Sequence, residues 1–260
     1  MQELLKIACL QVDVQWENPN ENLKCYAESI TKTASDVNLV ILPEMFSTGF
    51  SMKPENCAET MEGISVSWMK EIAFKRNAAI MGSLVIVENN NYYNRLIFVH
   101  PNGELEYYNK RHLFTLAGED KIYTSGNKKV IIDYLGWKIC PLICYDLRFP
   151  VWSRNDVDYD LLVYVANWPK PRISAWDTLL KARAIENLSY VIGVNRVGTD
   201  GNNLEYIGHT QIINPLGEVI DSSIEGQSYV IEASINKTTL QETRDKFQFL
   251  NDKDSFSFEK

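Results

Sequence analysis

Three short segments of this 260-residue chain carry side chains suited to carbonyl chemistry. Cys144 closes the apolar run Ile139-Cys-Pro-Leu-Ile-Cys144, and Tyr145-Asp146-Leu-Arg148-Phe-Pro150 follows at once. A thiol at the end of a buried strand, where a helix starts, fits a nucleophile. The first backbone N–H groups after the turn face whatever the sulfur attacks, and the positive end of a helix dipole favours thiolate. The same segment equally fits a buried structural cysteine. In Leu39-Val-Ile-Leu-Pro43-Glu44, four apolar residues read as a buried strand that Pro43 ends. Glu44 then lies at the strand's carboxyl end, where open α/β sheets place ligands, although such carboxylates are commonly solvated or cap helices. In Leu105-Glu-Tyr107-Tyr108-Asn-Lys110, an aromatic strand delivers Lys110 to a strand end, a position that lysines mostly occupy as surface charges.

Taken together, these residue types suit amide hydrolysis. Amides resist attack because nitrogen leaves poorly and the attacked carbonyl becomes an oxyanion. Cys144 supplies a nucleophile that is strong as thiolate. Glu44 can take the thiol proton and deliver it to departing ammonia, provided burial tunes its pKa upward. Lys110 and the Tyr145 backbone N–H can hold the oxyanion, where loss of one donor typically costs about 10²–10³ in rate. Water deprotonated by Glu44 then hydrolyses the thioester.

LPEMF, YNKRHLF and LICYDLRFP, in this order, resemble the nitrilase superfamily of carbon–nitrogen hydrolases. The resemblance starts at Leu5-Lys-Ile-Ala-Cys-Leu-Gln11 and continues through Tyr164-Val-Ala-Asn-Trp168-Pro169, Ala182–Asn187, Tyr190–Arg196 and Asn214-Pro-Leu-Gly217. CYDLRFP, VANWP and the short KRHLF segment resemble the omega-amidase-type branch. The family pattern implies a second glutamate between the lysine and the cysteine. Glu119, in Glu119-Asp120-Lys-Ile-Tyr123-Thr-Ser-Gly126-Asn127, matches best, with Asp120 adjacent; its implied role is to orient Lys110 and the substrate amide. The branch implies hydrolysis of the terminal amide of short dicarboxylate monoamides such as 2-oxoglutaramate and 2-oxosuccinamate. Such a substrate needs a cation for its distal carboxylate, and Arg148, Arg172 and Arg196 lie near strand ends or loops beside the proposed site. Arg148 could instead pair with Asp146 or a helix end. Trp168 and Pro169 fit either a pocket wall or simple packing. Arg183, Glu186 and Asn187 fit a structural hydrogen-bond network. The alternatives to an omega-amidase are an aliphatic nitrilase, an N-carbamoyl hydrolase, or a non-catalytic thiol sensor or scaffold; three intact catalytic residues speak against the last.

A cysteine–histidine dyad has three histidines to draw on, His100, His112 and His209, and none stands in a papain-like or caspase-like context. Five scattered cysteines, with Cys140–Cys144 lacking partner histidines, suggest neither a metal site nor a disulfide framework and fit reduced thiols in the cytoplasm. No cofactor is implied. The net charge of −8 argues against a nucleic-acid partner. No run approaches the roughly 18 apolar residues of a membrane span.

These residues require a frame. With 45% hydrophobic residues and no linker or repeat, residues 1–260 read as one α/β domain. Strands are expected near Lys6–Val12, Leu39–Leu42, Ala79–Val87, Arg95–His100, the Lys110 segment, Val130–Tyr134, Trp137–Ile143, Leu161–Ala166, Tyr190–Asn195, Thr210–Asn214 and Gly217–Ile220. Helices are expected at Asn20–Ser35 behind an Asn18-Pro19 start signal, at Ser65–Arg76, just after Pro150, and at Ser174–Asn187. Periodicity alone supports only α/β; the resemblance implies a four-layer α-β-β-α sandwich. It also implies a homodimer, with a C-terminal extension from about 236 to 260, bearing Phe247-Gln-Phe249 and Phe256–Phe258, at the interface.

Overall fold

The computed structural model describes residues 2–258. The first sheet contains β1 (Leu4–Gln11), β2 (Leu39–Ile41), β3 (Ala79–Glu88), β4 (Asn91–Val99) and β5 (Leu105–Asn109). The second contains β6 (Ile132–Tyr134), β7 (Trp137–Ile143), β8 (Leu161–Ala166) and β9 (Tyr190–Asn195). A separate hairpin follows, β10 (Val197–Thr199) and β11 (Glu205–Ile207); then β12 (Gln211–Ile213) and β13 (Val219–Ser222) complete the second sheet, and β14 (Tyr229–Asn236) returns to the first. The helices are α1 (Pro19–Thr31), α2 (Ile64–Arg76), α3 (Pro150–Ser153), α4 (Ile173–Asn187) and α5 (Lys237–Phe247). Strand orders are β14-β1-β2-β3-β4-β5 and β13-β12-β9-β8-β7-β6.

Each sheet has a parallel centre, β1-β2-β3 in one and β7-β8-β9 in the other, flanked by antiparallel strands. Such strands are buried on both faces, which is why they read as unbroken apolar runs. The pleat sorts their side chains. Ile7, Cys9, Leu39, Ile41 and Met81 enter the core shared with Ile139, Leu142 and Val163 of the second sheet. Ala8, Leu10, Val40, Leu42 and Ile80 face the opposite way, onto Tyr26 and Ile30 of α1 and Val66, Met69 and Ala73 of α2. On the far side, Trp176, Leu180 and Ala184 of α4 cover the second sheet. Gly193 permits that close approach, because a Cβ there would stand 2.4 Å from Leu180 and 2.7 Å from Trp176. The result is an α-β-β-α sandwich.

Strand direction decides where chemistry can gather. β5 is reached from β3 by two antiparallel steps and therefore runs with β3. The residues after β2, β5, β7, β8 and β9 (Glu44, Lys110, Cys144, Asn167 and Arg196) all leave carboxyl ends, the place where α/β sheets build sites.

Most expected elements agree within a few residues. Asn18 caps α1, its side chain accepting from the Glu21 N–H, and Pro19 opens the helix. β4 begins four residues earlier than expected, because Asn89 and Asn90, at φ 50° and 62°, form a two-residue hairpin turn. Three elements went unforeseen: β14, the β10–β11 hairpin and α5. β14 pairs antiparallel with β1 over its whole length. α5 packs on its own chain through buried Leu240 and through Arg244, which donates to the carbonyls of Leu188 (2.9 Å) and Tyr159 (2.6 Å). Beyond it, Phe258 packs on Trp152 with ring centroids 5.0 Å apart. Arg183, Glu186 and Asn187 form the network their types suggested, with Arg183 donating to the Leu147 carbonyl at 2.6 Å and to Glu186 at 3.1 Å.

Candidate active site

Cys144 stands where β7 gives way to a one-turn helix, Cys144–Arg148. Its φ is +44°, the left-handed region, which costs a non-glycine residue on the order of 1–2 kcal/mol. The strained turn lifts the side chain off the strand and leaves the next N–H groups without intrahelical acceptors. The thiol is half-buried and lies 4.0 Å from the Asn167 carbonyl oxygen.

Three charged side chains with 0–1% exposure meet beside it. Lys110 Nζ donates to Glu44 Oε1 at 2.9 Å and to Glu119 at 2.9 Å (Oε2) and 3.1 Å (Oε1). Asn94, on β4, bridges the two carboxylates, its amide donating to Glu44 at 2.7 Å and Glu119 at 3.3 Å. The Asn167 backbone N–H donates to Glu44 Oε2 at 2.8 Å, and the Phe114 N–H donates to Glu119 Oε2 at 2.6 Å. The Asn94 amide is oriented in turn: its oxygen accepts from Ser83 Oγ at 2.9 Å, and that hydroxyl accepts from the Met45 N–H at 2.8 Å. Such a network is stable only because each buried charge finds partners.

Burial pushes the Cys144 thiol well above its ordinary range, and the neighbouring Glu44 charge adds to this against the pull of Lys110. The resting group is therefore a thiol, which needs a base as it attacks. Burial alone would depress Lys110, but the charges of Glu119 and Glu44 outweigh it and hold the ammonium firmly protonated. Burial likewise raises the Glu119 carboxyl more than Lys110 lowers it. Cys140, fully within the core, is pushed up to about 12 by burial alone in the main.

A cavity of about 310 Å³ opens over this cluster. Glu44, Lys110 and Cys144 lie in its wall with Phe50, Phe114 and Tyr145. Trp168 lines it as well, fixed by its backbone N–H to Asn195 Oδ1 (2.8 Å) and by its indole N–H to the Arg172 carbonyl (2.7 Å). Arg148 and Arg172 reach the same cavity. Arg148 lies over Trp168 (4.9 Å from the ring centroid) and Arg172 over Phe114 (5.1 Å). Neither forms an ion pair among the described residues.

The sequence-derived set is thus largely gathered in one place. Glu119, not the exposed Asp120, meets Lys110. Arg148 does not pair with Asp146, whose carboxylate is occupied by other donors. Arg196 is the correction: it does not line the cavity. It is fully buried, donating to the carbonyls of Val197 (3.0 Å) and Val14 (2.9 Å), and its guanidinium lies over Tyr206. There it fastens the β10–β11 hairpin to the chain after β1. None of the three histidines lines the cavity; His112 Nδ1 lies 2.8 Å from Asp146, His100 meets Glu106 and His209 meets Asp177. No cluster of three or more His, Cys, Asp or Glu among the described residues could hold a metal ion, and no helix there is long and apolar enough to cross a membrane. Sequence reasoning missed Asn94, Asp146 and Asn167 as site residues. Asn167 stood in a quoted segment directly after a strand, whereas Asn94, just before the expected Arg95–His100 strand, carried no local signal.

Residues 6–245 match the model of the carbon–nitrogen hydrolase family. The chain is 45% identical to the omega-amidase YafV of Escherichia coli (strain K12) over 97% of its own length and 98% of that protein. It is 33% identical to the 2-oxoglutaramate amidase of Bacillus subtilis (strain 168), covering 95% and 96% of the two chains. The crystal structure of XC1258 from Xanthomonas campestris, a CN-hydrolase superfamily protein with an arsenic adduct in the active site, superposes with a TM-score of 0.96 at 42% identity, covering both chains completely. Sequence, fold and site geometry converge: the chain belongs to the nitrilase superfamily of carbon–nitrogen hydrolases, in its omega-amidase-type branch, and is a hydrolase acting on carbon–nitrogen bonds.

Proposed function

We propose that this protein hydrolyses the terminal amide of short dicarboxylate monoamides, of the 2-oxoglutaramate or 2-oxosuccinamate type, to acid and ammonia through a thioester on Cys144. The observation that carries this reading is the joining of two features in one cavity: the Glu44–Lys110–Glu119 cluster beside a thiol, and two cavity-lining arginines with no protein carboxylate partner among the described residues. The names borne by the relatives from E. coli and B. subtilis agree with it.

The geometry supports the following steps. The substrate carbonyl sits between the thiol and the donors, Lys110 and the Tyr145 N–H. Glu44 takes the Cys144 proton as sulfur bonds to the carbonyl carbon, a transfer made necessary by the burial that holds the thiol above its ordinary pKa. Negative charge gathers on the carbonyl oxygen, where the ammonium and the N–H stabilise it without reorganising. The carbon–nitrogen bond breaks as Glu44 returns the proton to nitrogen, releasing ammonia. Water then adds to the thioester, giving Glu44 its proton; the collapse of that adduct restores the thiol and frees the acid. Glu119 holds Lys110 in position through its two bonds. Arg148 and Arg172 take the distal carboxylate; a guanidinium backed by an aromatic face is restrained and presents its fork to an anion. We further infer a cytoplasmic homodimer of single-domain subunits, with the aromatic C-terminal segment at the contact.

Ammonia release from a panel of amides tests this reading. Turnover of 2-oxoglutaramate, with none of aliphatic nitriles or N-carbamoyl amino acids, is the expected result. Preference for a nitrile or a carbamoyl substrate would replace it with another activity of the superfamily, and no turnover of any of them would point to a thiol sensor or scaffold.

A further inference from the structure

Asp146 lies two residues after Cys144, is fully buried, and is not part of the cavity wall. Its carboxylate nevertheless accepts four hydrogen bonds. Oδ2 accepts from the Ile143 backbone N–H at 3.0 Å and from the Tyr108 hydroxyl at 2.8 Å. Oδ1 accepts from the His112 backbone N–H at 3.0 Å and from His112 Nδ1 at 2.8 Å. A carboxylate only accepts, so Nδ1 carries the proton. The donors are informative by position. Ile143 immediately precedes Cys144, while Tyr108 and His112 stand two residues before and two residues after Lys110. The surroundings restrain them further: Tyr108 oxygen accepts from the Trp152 indole N–H and the Arg111 N–H, each at 3.1 Å, and the His112 ring stacks on Phe149 with centroids 3.7 Å apart.

We propose that Asp146 is a positioning residue that holds the left-handed Cys144 turn in register with the strand end bearing Lys110. It never touches substrate. One carboxylate joins the two chain segments that must converge on a single carbonyl carbon and its oxygen. The proposal rests on the hydrolase reading in one respect, that both residues act on the same carbonyl.

Asparagine cannot replace it. With its oxygen at the Oδ2 place, the amide nitrogen faces the His112 backbone N–H, which loses its acceptor whichever ring tautomer His112 adopts; reversed, it faces the Ile143 backbone N–H, which loses its acceptor in the same way. One segment is released either way. A displacement near 1 Å costs on the order of 100-fold in rate, which sets the expected loss of kcat for Asp146→Asn. Tyr108→Phe removes one donor and keeps the carboxylate, and should lose about 10-fold by the same reasoning.

The test uses the purified full-length chain, with mass spectrometry counting alkylation by iodoacetamide at Cys144 and, as internal control, at Cys57. Expected are full Cys144 alkylation per chain, a lower kcat per alkylatable Cys144, a KM within about threefold of wild type, and slower Cys144 alkylation with Cys57 unchanged. A purely structural role would lower the alkylatable fraction while leaving kcat per remaining site intact, and that outcome overturns the proposal. Unchanged kcat and unchanged Cys144 alkylation in both variants also overturn it; should Asp146→Asn not fold, Tyr108→Phe decides. If wild type hydrolyses no amide in the panel, the functional reading fails, while the Cys144 alkylation rates still judge the positioning role.

Discussion

Replacing Lys110 by methionine separates what the lysine does for the fold from what it does for chemistry. Methionine keeps the length of the stem and deletes the ammonium, leaving Glu44 and Glu119, both wholly buried, to face one another. Removing one partner of a buried ion cluster typically destabilises by about 3–5 kcal/mol, because an uncompensated charge stays behind. For a chain of this size that corresponds to a melting temperature lower by roughly 6–20 °C. The loss should depend on pH. Burial already holds Glu119 above the ordinary carboxyl range, and losing the cation raises it further. A carboxyl whose folded value exceeds its unfolded one binds more protons when folded, so Lys110→Met should be steadiest in acid and weaken as pH rises above about 4.3 towards the raised value. Adding Glu119→Gln removes one of the repelling charges, so the double variant should regain part of the stability. It should regain no activity: kcat should stay about 10²–10³ below wild type, the cost of a missing oxyanion donor, with KM nearly constant. Thermal melts at pH 5 and pH 8 beside ammonia-release kinetics decide the matter. A single variant melting within about 3 °C of wild type, or an unchanged kcat, would refute the reasoning.

Other expectations are as direct. Cys144→Ala should abolish turnover while keeping a near-native melt, and more than a few percent of residual activity would remove the nucleophile assignment. Glu44→Gln should block turnover yet lower the pH at which Cys144 is alkylated, since the Glu44 charge helps hold the thiol up; an unchanged alkylation profile would contradict the proximity of the two groups. Arg148→Met or Arg172→Met should cut kcat/KM for a dicarboxylate monoamide by about 10- to 100-fold, the equivalent of roughly 1.5–3 kcal/mol for a charge-assisted bond, and far less for a neutral amide of equal length. Equal losses on both substrates would end the carboxylate-clamp idea. Light scattering should find a dimer at micromolar concentration, and a monomer would contradict the inferred assembly.

The sequence by itself determined most of the strands and named the candidate reactive groups that the structure gathers beside one cavity. Leu39 and Ile41 enter one core and Val40 and Leu42 the other, so with both faces buried the parallel strands appear as short unbroken apolar runs. Pro43 marks the strand end before Glu44, and charged residues mark the ends at Lys110 and Cys144. What escaped was whatever depends on distant pairing. β14 alternates weakly because it is a half-exposed edge, and only β1 beside it makes it a strand. Glu119 and Asp120 are neighbours with the same chemistry, and the turn geometry alone sends Glu119 to Lys110 and Asp120 to the surface. Arg196 follows a strand end as a ligand-binding residue would, yet backbone carbonyls of Val14 and Val197 claim its guanidinium. Asn94 looks like any polar residue on a strand until two carboxylates from other segments arrive at its amide. Local pattern reports which face a side chain occupies; the partner waiting on that face is supplied by chain tens of residues away, and only the folded structure brings it there.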